Sequence, residues 1–165
     1  FSRKDRAEIE VFDCVESLRA AVEIAGSRAD RIGVKPKIEA RGAAYVAGSA
    51  IRLEQVFLNL LLNAIDALKD SPSPRITVTV NASEAHVDIA VSDNGHGISP
   101  EDFDQAMEPF FTTKAGSEGL GLGLSISAAI VEDHGGELRL SPDPQGGTRA
   151  TVRLPLHVEK VRAAE

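Results

Sequence analysis

Asn59, Asn63 and Asp66 interrupt a segment that is otherwise apolar, NLLLNAIDAL at residues 59–68. A buried amide or carboxylate without a partner costs about 1 to 3 kcal/mol, so something must satisfy these groups. Oxygen-bearing side chains one helical turn apart suit a hard cation such as Mg²⁺, which takes one or two protein oxygens and completes its shell with water and phosphates. The segment therefore predicts that Asn59 and Asn63 face a metal ion and the phosphates it carries.

These residues belong to a predicted helix from Ala50 to Lys69, which the prolines of SPSP at residues 71–74 end. On a helical wheel, its polar side chains fall within about 80° of one another: Arg52, Gln55, Asn59, Asn63, Asp66 and Asp70. Such a narrow stripe predicts that one side of the helix lines a polar cavity. The alternative is a stripe that faces solvent, although Lys and Glu are more usual there than amides.

A second candidate region is SDNGHGI at residues 92–98, which follows a predicted strand. Glycine at positions 95 and 97 lets the backbone turn sharply and approach a flat ligand, and Asp93 offers an acceptor to an amino group. Taken alone, the same pattern is also typical of a plain surface turn.

A third candidate region is GLGLGLSIS at residues 119–127, where Gly119, Gly121 and Gly123 directly precede a predicted helix. Such a loop can lay backbone N–H groups and a helix N-terminus against phosphate oxygens. The loop has neither the Gly-Lys-Ser/Thr of a Walker A motif nor the preceding strand of a dinucleotide fingerprint, and it lacks the spacing of the eukaryotic-type kinase glycine loop. The alternative is a flexible linker, which the immediate run into an amphipathic helix disfavours.

A fourth segment, EPFFTTK at residues 108–114, places two phenylalanines beside Lys114. The aromatic pair can anchor one end of a mobile loop while Lys114 contacts phosphate. Core packing is the alternative role for Phe110 and Phe111.

Composition restricts the class of protein. At 165 residues the chain fits one domain with a substantial core, and its net charge of −7 argues against a nucleic-acid surface. The longest apolar runs are far short of the length of about 18 residues that a membrane span requires. Cys14 is the only cysteine, which excludes an internal disulfide and a multi-cysteine metal site.

The remaining elements predict the fold class. Helical spacing marks VESLRAAVEIAGSRADRIG and LGLSISAAIVEDH, and a short helix begins at Pro100. Strand patterns occur in EIEVFDC, VKPKIEA, AAYVAG, RITVTVNA, AHVDIAVSD, GELRLSP and TRATVRLPL. Because adjacent strands form hairpins, an all-parallel sheet is excluded. We expect an α+β fold, a two-layer sandwich in which a mixed, mostly antiparallel sheet is covered by helices on one face.

Five motifs in order resemble those of one family, the ATP-binding catalytic domain of bacterial sensor histidine kinases. RLEQVFLNLLLNAIDA is similar to its N box, DNGHGI to its G1 box, EPFFTTK to its F box, GLGLGLS to its G2 box and GGTRATVRLP to its closing strand motif. This family shares the Bergerat fold with gyrase and heat-shock chaperone ATPases. The resemblance covers residues 8–158, and NAIDA with PFFTTK most resembles the nitrogen-regulation and C4-dicarboxylate sensor branch.

The resemblance implies roles around the triphosphate of a bound ATP. Asn63 would bind Mg²⁺, Asn59 would help to place the phosphates, and Lys114 would contact phosphate. Gly119, Gly121 and Gly123 would form a lid over the triphosphate, and Leu124 would also belong to the nucleotide-binding residues. Many kinases of the family have Lys or Arg where this chain has Asp66, so Asp66 cannot supply the positive charge found there.

The resemblance also implies roles around the base. Asp93 would accept a hydrogen bond from the adenine amino group, and Gly95 and Gly97 would shape the base pocket. Thr148 would support Asp93.

One residue separates kinase from hydrolase within the superfamily. Its hydrolytic ATPases place a general-base Glu one turn before the Mg²⁺ asparagine, where this chain has Asn59, which cannot take a proton from water. We therefore expect a protein histidine kinase that holds ATP until an imidazole from another domain attacks. The alternatives are a hydrolytic or serine-directed ATPase, and a nucleotide-sensing module that performs no chemistry.

The expected partners follow from the same resemblance. No stretch resembles the phosphoacceptor helix, so the histidine would lie on a separate helical-hairpin domain of the same kinase, with a response regulator downstream. Residues 1–7 would be a linker from that hairpin, residues 8–158 the ATP-binding domain and residues 159–165 a tail. We expect no contact with nucleic acid or membrane, and a location in the cytoplasmic part of a larger sensor.

Overall fold

The computed structural model describes residues 9–103 and 123–158. The described strands are β1 Glu10–Asp13, β2 Lys37–Ala40, β3 Tyr45–Gly48, β4 Ile76–Ala82, β5 His86–Asp93, β6 Glu137–Pro142 and β7 Thr148–Pro155. The described helices are α1 Cys14–Arg31, α2 Ala50–Ala67, α3 Pro100–Phe103 and α4 Gly123–Asp133. Several predictions fall outside the described residues, namely those for Phe110, Phe111, Lys114, Gly119, Gly121, the linker 1–7 and the tail 159–165.

The main sheet has the strand order β2-β4-β5-β7-β6. Its neighbours are antiparallel except β2 and β4, which run parallel. Strand β4 alternates as its sequence requires, because Ile76, Val78 and Val80 are buried while Thr77 and Thr79 are only half-buried. The predicted α+β fold, with a mixed and mostly antiparallel sheet packed against helices, is confirmed.

Strands β2 and β3 flank a short turn, yet they do not pair with each other. β3 pairs with β1 in a separate two-stranded antiparallel sheet, whereas β2 lies beside β4. A parallel pair needs a crossover connection, and here the chain passes through β3 and α2 before it returns as β4.

Helix α2 packs on α1, on α4 and on strand β5, with its apolar side chains in the core. Ser49 begins it, since the Ser49 Oγ accepts from the backbone N–H of Arg52 at 3.3 Å. The helix ends at Ala67, two residues before the predicted Lys69, and Leu68 forms its C-terminal cap. Among the described residues, no helix combines the length and the apolar character that crossing a bilayer requires.

The end of α4 joins the start of α2 through His134. The Nε2 of His134 accepts from the backbone N–H of Ser49 at 3.0 Å, so the proton is on Nδ1, which donates to the carbonyl of Ile130 at 2.7 Å. An ion pair between Arg52 and Asp133, with 3.0 Å between Nη2 and Oδ2, spans the same junction. The two helices are therefore held together at one end by polar contacts.

Candidate active site

Asn59 lies at the contact between α2 and α4. Its side chain is half-buried, and the amide Nδ2 donates to the Oγ of Ser127 at 3.1 Å. Ser127 is itself 3% exposed. The partner of this amide is therefore a protein hydroxyl. Ser127 was not among the predicted site residues, although it is one of only two polar residues in the first nine positions of α4.

Gly123 brings the first turn of α4 against the same amide. A Cβ added at Gly123 would lie 2.8 Å from the Oδ1 and 2.9 Å from the Nδ2 of Asn59, which is closer than real side chains approach. Only glycine allows this contact without displacing Asn59. Because the first N–H groups of a helix have no partner within it, donors lie beside Asn59 at this end of α4. Leu124 is half-buried and packs on the core.

Asn63 lies one helical turn after Asn59 and is also half-buried. Among the described residues, no hydrogen bond is formed by its side chain. When neither the oxygen nor the nitrogen of a half-buried amide is hydrogen-bonded, the oxygen can ligate a hard cation and the NH2 group can donate to a phosphate-bound water.

The rest of the polar stripe has two kinds of environment. Arg52 faces α4 through its ion pair with Asp133, whereas Gln55 and Asp70 are exposed. The stripe is thus neither a wholly solvated face nor a continuous cavity wall. Its centre, at the two asparagines, is the part that is directed into the protein.

Asp93 ends β5 and is 7% exposed. Its Oδ1 accepts from the backbone N–H of Gly95 at 2.9 Å, and the backbone N–H of Thr148 also donates to the carboxylate. Burial raises the pKa of Asp93 above its ordinary value, and these two hydrogen bonds oppose that shift. The structure therefore places Thr148 against Asp93 through its backbone.

The glycines around Asp93 permit close approaches of main chain. A Cβ on Gly95 would lie 2.5 Å from the carbonyl oxygen of Ala67, at the end of α2, and Gly97 has a φ of +75°. Gly147, with φ of +89°, is pressed so closely against the carbonyl of Asp93 that no Cβ fits. Gly147 was not a predicted site residue, although its place in the Gly-Gly pair before Thr148 pointed to a sharp turn.

Helix α2 connects two groups of residues, the asparagines Asn59 and Asn63 and the turn that follows Asp93. Asn59 contacts the start of α4, Asn63 follows after one turn, and Gly95 packs on Ala67 after another. Eight residues of helix span about 12 Å along the axis. The amides and the Asp93 turn thus lie along one helix, at a separation comparable to the length of a nucleoside triphosphate.

A family model described as "Histidine kinase-, DNA gyrase B-, and HSP90-like ATPase" matches residues 48–158. The matched region holds every described residue of both groups. The chain therefore belongs to this ATPase family. Within it, the predicted resemblance to catalytic domains of sensor histidine kinases is confirmed by the relatives and structures that follow.

Two curated relatives cover nearly the whole chain. The two-component sensor PprA of Pseudomonas aeruginosa is 37% identical over 162 residues, which are 94% of this chain and 18% of that protein. The C4-dicarboxylate transport sensor protein DctS of Rhodobacter capsulatus is 36% identical over 163 residues, 96% of this chain and 24% of that protein. The chain thus spans about a fifth of the length of these relatives, and the expected similarity to C4-dicarboxylate sensors is confirmed.

Solved structures agree with the sequence relatives. The nucleotide-free catalytic domain of histidine kinase ThkA has a TM-score of 0.80 and 29% identity, covering 90% of this chain and 97% of that one. ThkA in complex with response regulator protein TrrA has a TM-score of 0.76 and 26% identity, covering 90% of this chain and 42% of that one. The fold described above is accordingly that of a histidine kinase catalytic domain.

Proposed function

We propose that this domain binds Mg²⁺-ATP and donates the γ-phosphoryl group to a histidine on a separate phosphoacceptor domain of a two-component sensor kinase. The proposal depends mainly on Asn59, on its residue type and on its hydrogen bond. Its amide is held by Ser127 at 3.1 Å beside the start of α4, where the hydrolytic members of the superfamily have a general-base Glu. An amide cannot accept a proton from water, so bound ATP is kept for an external nucleophile.

At the base end, Asp93 supports recognition of adenine. Two backbone N–H groups orient its carboxylate, and an ionised carboxylate has about four acceptor positions, so capacity remains for the amino group of the base. Because the carboxylate is buried, a hydrogen bond to it discriminates strongly against bases that lack a donor at this position. Gly95, which packs closely on the carbonyl of Ala67, and Gly97, which has a positive φ, would shape the turn that forms this end of the base pocket.

At the phosphate end, Asn63 would hold the Mg²⁺ through its amide oxygen, and Asn59 and the first turn of α4 would face the phosphates. The unengaged amide of Asn63 fits this assignment. The ion supplies positive charge that stabilises the transferring phosphoryl group. Asn59 and the N–H groups of α4 fix the orientation of the phosphates, so that the terminal one is presented to the incoming imidazole.

The proposed partners are a helical hairpin of the same kinase, which carries the nucleophilic histidine, and a response regulator that receives the phosphoryl group. The structure of ThkA with TrrA supports a response regulator as the partner of a histidine kinase of this type. We propose a cytoplasmic location for the domain, where ATP and the response regulator are available. Gly119 and Gly121 would belong to the proposed lid, and Lys114 would contact phosphate.

The test follows the γ-phosphate of labelled ATP with Mg²⁺. The chain is incubated alone, with a purified hairpin from the same kinase, and with a hairpin whose histidine is replaced. We expect label on the intact hairpin in an acid-labile bond and little free phosphate from the chain alone. Rapid phosphate release by the chain alone would identify a hydrolase, and binding of ATP with neither outcome would identify a sensing module.

A further inference from the structure

A polar network lies on the other face of the sheet, directly behind Asp93. Ser92 precedes Asp93 on β5, and it is the register partner of Arg149, which follows Thr148 on β7. The Nε of Arg149 donates to the Oγ of Ser92 at 3.2 Å. Successive side chains of a strand point to opposite faces. This bond therefore lies on the face of the sheet that no helix of the described residues covers, while the carboxylate of Asp93 is on the helix-covered face.

The same arginine reaches the turn between β6 and β7. The Nη2 of Arg149 lies 3.0 Å from the Oδ1 of Asp143, in an ion pair whose carboxylate side chain is only 9% exposed. The other oxygen, Oδ2, accepts from the backbone N–H of Gln145 at 3.1 Å. One carboxylate therefore joins the first part of the turn to the strand that follows it.

The backbone of this turn holds Asp93. The N–H of Asp143 donates to the carbonyl of Gly147 at 3.0 Å, and Gly147 in turn is pressed against the carbonyl of Asp93. Thr148, the next residue, donates its N–H to the carboxylate. Gly146 and Gly147 have φ values of +98° and +89°, and glycine has no side chain by which packing can restrain it.

We infer that Asp143 and Arg149 are positioning residues for base recognition: their ion pair fixes the glycine turn, so that Thr148 N–H holds the Asp93 carboxylate towards the amino group of adenine. This inference rests on the proposed function. Neither side chain faces the proposed nucleotide, because both act from the opposite face of the sheet. Without the pair, the turn keeps the backbone hydrogen bonds of Asp143 with Gly146 and Gly147 but loses the side-chain link to β7, so the N–H of Thr148 is held less firmly.

The sheet provides a matched control four register positions along. Arg153 on β7 pairs with Asp88 on β5, with 2.8 Å between Nε and Oδ1 and 3.0 Å between Nη2 and Oδ2. This pair joins the same two strands on the same face but touches no part of the turn. Arg153→Met therefore removes a similar ion pair without affecting the support of Asp93.

The experiment compares the affinities of the chain for Mg²⁺-ATP and Mg²⁺-ITP by calorimetry, because inosine carries a carbonyl where adenine carries its amino group. For Arg149→Met we expect a fall of roughly tenfold in ATP affinity, the value of one hydrogen bond to a charged group, with ITP affinity within about twofold of wild type. Arg149→Lys, which keeps the charge, should recover part of the loss. Arg153→Met should leave both affinities unchanged.

A selective loss of ATP over ITP in Arg149→Met, and not in Arg153→Met, supports the inference. An unchanged ratio of the two affinities overturns it, and so does an equal loss for both nucleotides, which is the result of a general structural role. Asp143→Asn, which keeps the shape of the side chain, gives the same test if Arg149→Met does not fold. Asp93→Asn tests the proposed base pocket separately from the role of Asp143 and Arg149. If Asp93→Asn leaves the wild-type ratio of ATP to ITP affinity unchanged, the proposed base pocket itself is wrong.

Discussion

The amide of Asn59 and the hydroxyl of Ser127 form a hydrogen bond of 3.1 Å that joins α2 to α4. The same amide lies edge to edge with Gly123, since a Cβ added there would lie 2.8 Å from the Oδ1 and 2.9 Å from the Nδ2. The orientation of this side chain is thus determined before any ligand binds. The first prediction concerns a substitution at Gly123 that would disturb the orientation of the Asn59 amide.

Gly123→Ala should reduce affinity for Mg²⁺-ATP while the fold is kept. The new Cβ would lie 2.8 Å from the Oδ1 of Asn59, so the amide must rotate away, which is inexpensive for the end of a flexible side chain. Alanine favours a helix by about 0.5 to 1 kcal/mol over glycine, which offsets part of the strain. Calorimetric titration and thermal melting measure the two effects separately.

Gly26→Ala is the matched control, since that glycine lies in α1 and an added Cβ would meet nothing within 4 Å. It should raise the melting temperature slightly and leave ATP affinity unchanged. If Gly123→Ala also binds ATP with the wild-type affinity, then Asn59 does not contact the phosphates.

Asp93→Asn should abolish the preference for adenine and leave the fold intact. The NH2 group that replaces one carboxylate oxygen cannot accept a hydrogen bond from the amino group of the base. Because burial raises the pKa of Asp93, its charge lowers the stability of the folded state as pH rises above the ordinary value, and the asparagine variant loses this penalty. We therefore expect a nucleotide-free melting temperature at neutral pH no lower than that of wild type. Wild-type affinity for ATP in this variant would show that the base binds elsewhere.

The ratio of ATP to ITP affinity should fall as the pH is lowered. Protonation converts Asp93 from an acceptor into a donor, which suits the carbonyl of inosine better than the amino group of adenine. Burial raises the pKa of Asp93, so the change begins at a higher pH than for an ordinary aspartate. Titrations between about pH 7 and pH 5 test this, and the ratio cancels effects that are common to both nucleotides, such as those of the phosphates. The charges of His96 and Asp143 act on the pKa of Asp93 itself, so their effect is part of the expected change. A constant ratio would contradict the assignment of Asp93 to the base.

Asn63→Ala should remove the dependence of ATP affinity on Mg²⁺. The side chain has no hydrogen-bond partner among the described residues, so its loss leaves no protein group unsatisfied, and alanine is the better helix former by up to about 0.7 kcal/mol. Titrations with Mg²⁺ and with a chelator measure the dependence in wild type, in Asn63→Ala and in Asn81→Ala, which changes an exposed asparagine at the end of β4. Equal Mg²⁺ dependence in all three proteins would place the metal elsewhere.

Cys14 should make the fold sensitive to alkali. Burial, together with the charge of Asp13, raises the pKa of its thiol from 9.0 to about 12. The folded state therefore keeps a proton that the unfolded state loses, so this stability is complete below pH 9 and decreases as the pH rises towards 12. Denaturant unfolding at about pH 8 and pH 10 should differ by about 1 kcal/mol more in wild type than in Cys14→Ala. The same loss in both proteins would show that other groups cause it.

The sequence by itself determined the features that depend on local pattern. The amide stripe of α2 follows from residue spacing on a helix, and the position of Asp93 at a strand end follows from alternation and the glycines after it. Five short motifs in a given order indicated the family, since each places a particular residue type at a turn or on one helix face. The helix boundary was less well determined, because α2 ends at Ala67 through its cap rather than at the prolines.

Only the tertiary structure decided which side chains meet. Ser127 is 68 residues from Asn59, and Arg149 is 57 residues from Ser92. Periodicity predicts the face that a side chain occupies but not the neighbour opposite that face, which depends on strand order and helix packing. The order β4-β5-β7-β6 places the glycine turn behind Asp93, and the packing of α4 on α2 gives Asn59 its hydroxyl partner. The support of the site therefore lies in contacts between elements that no local pattern specifies.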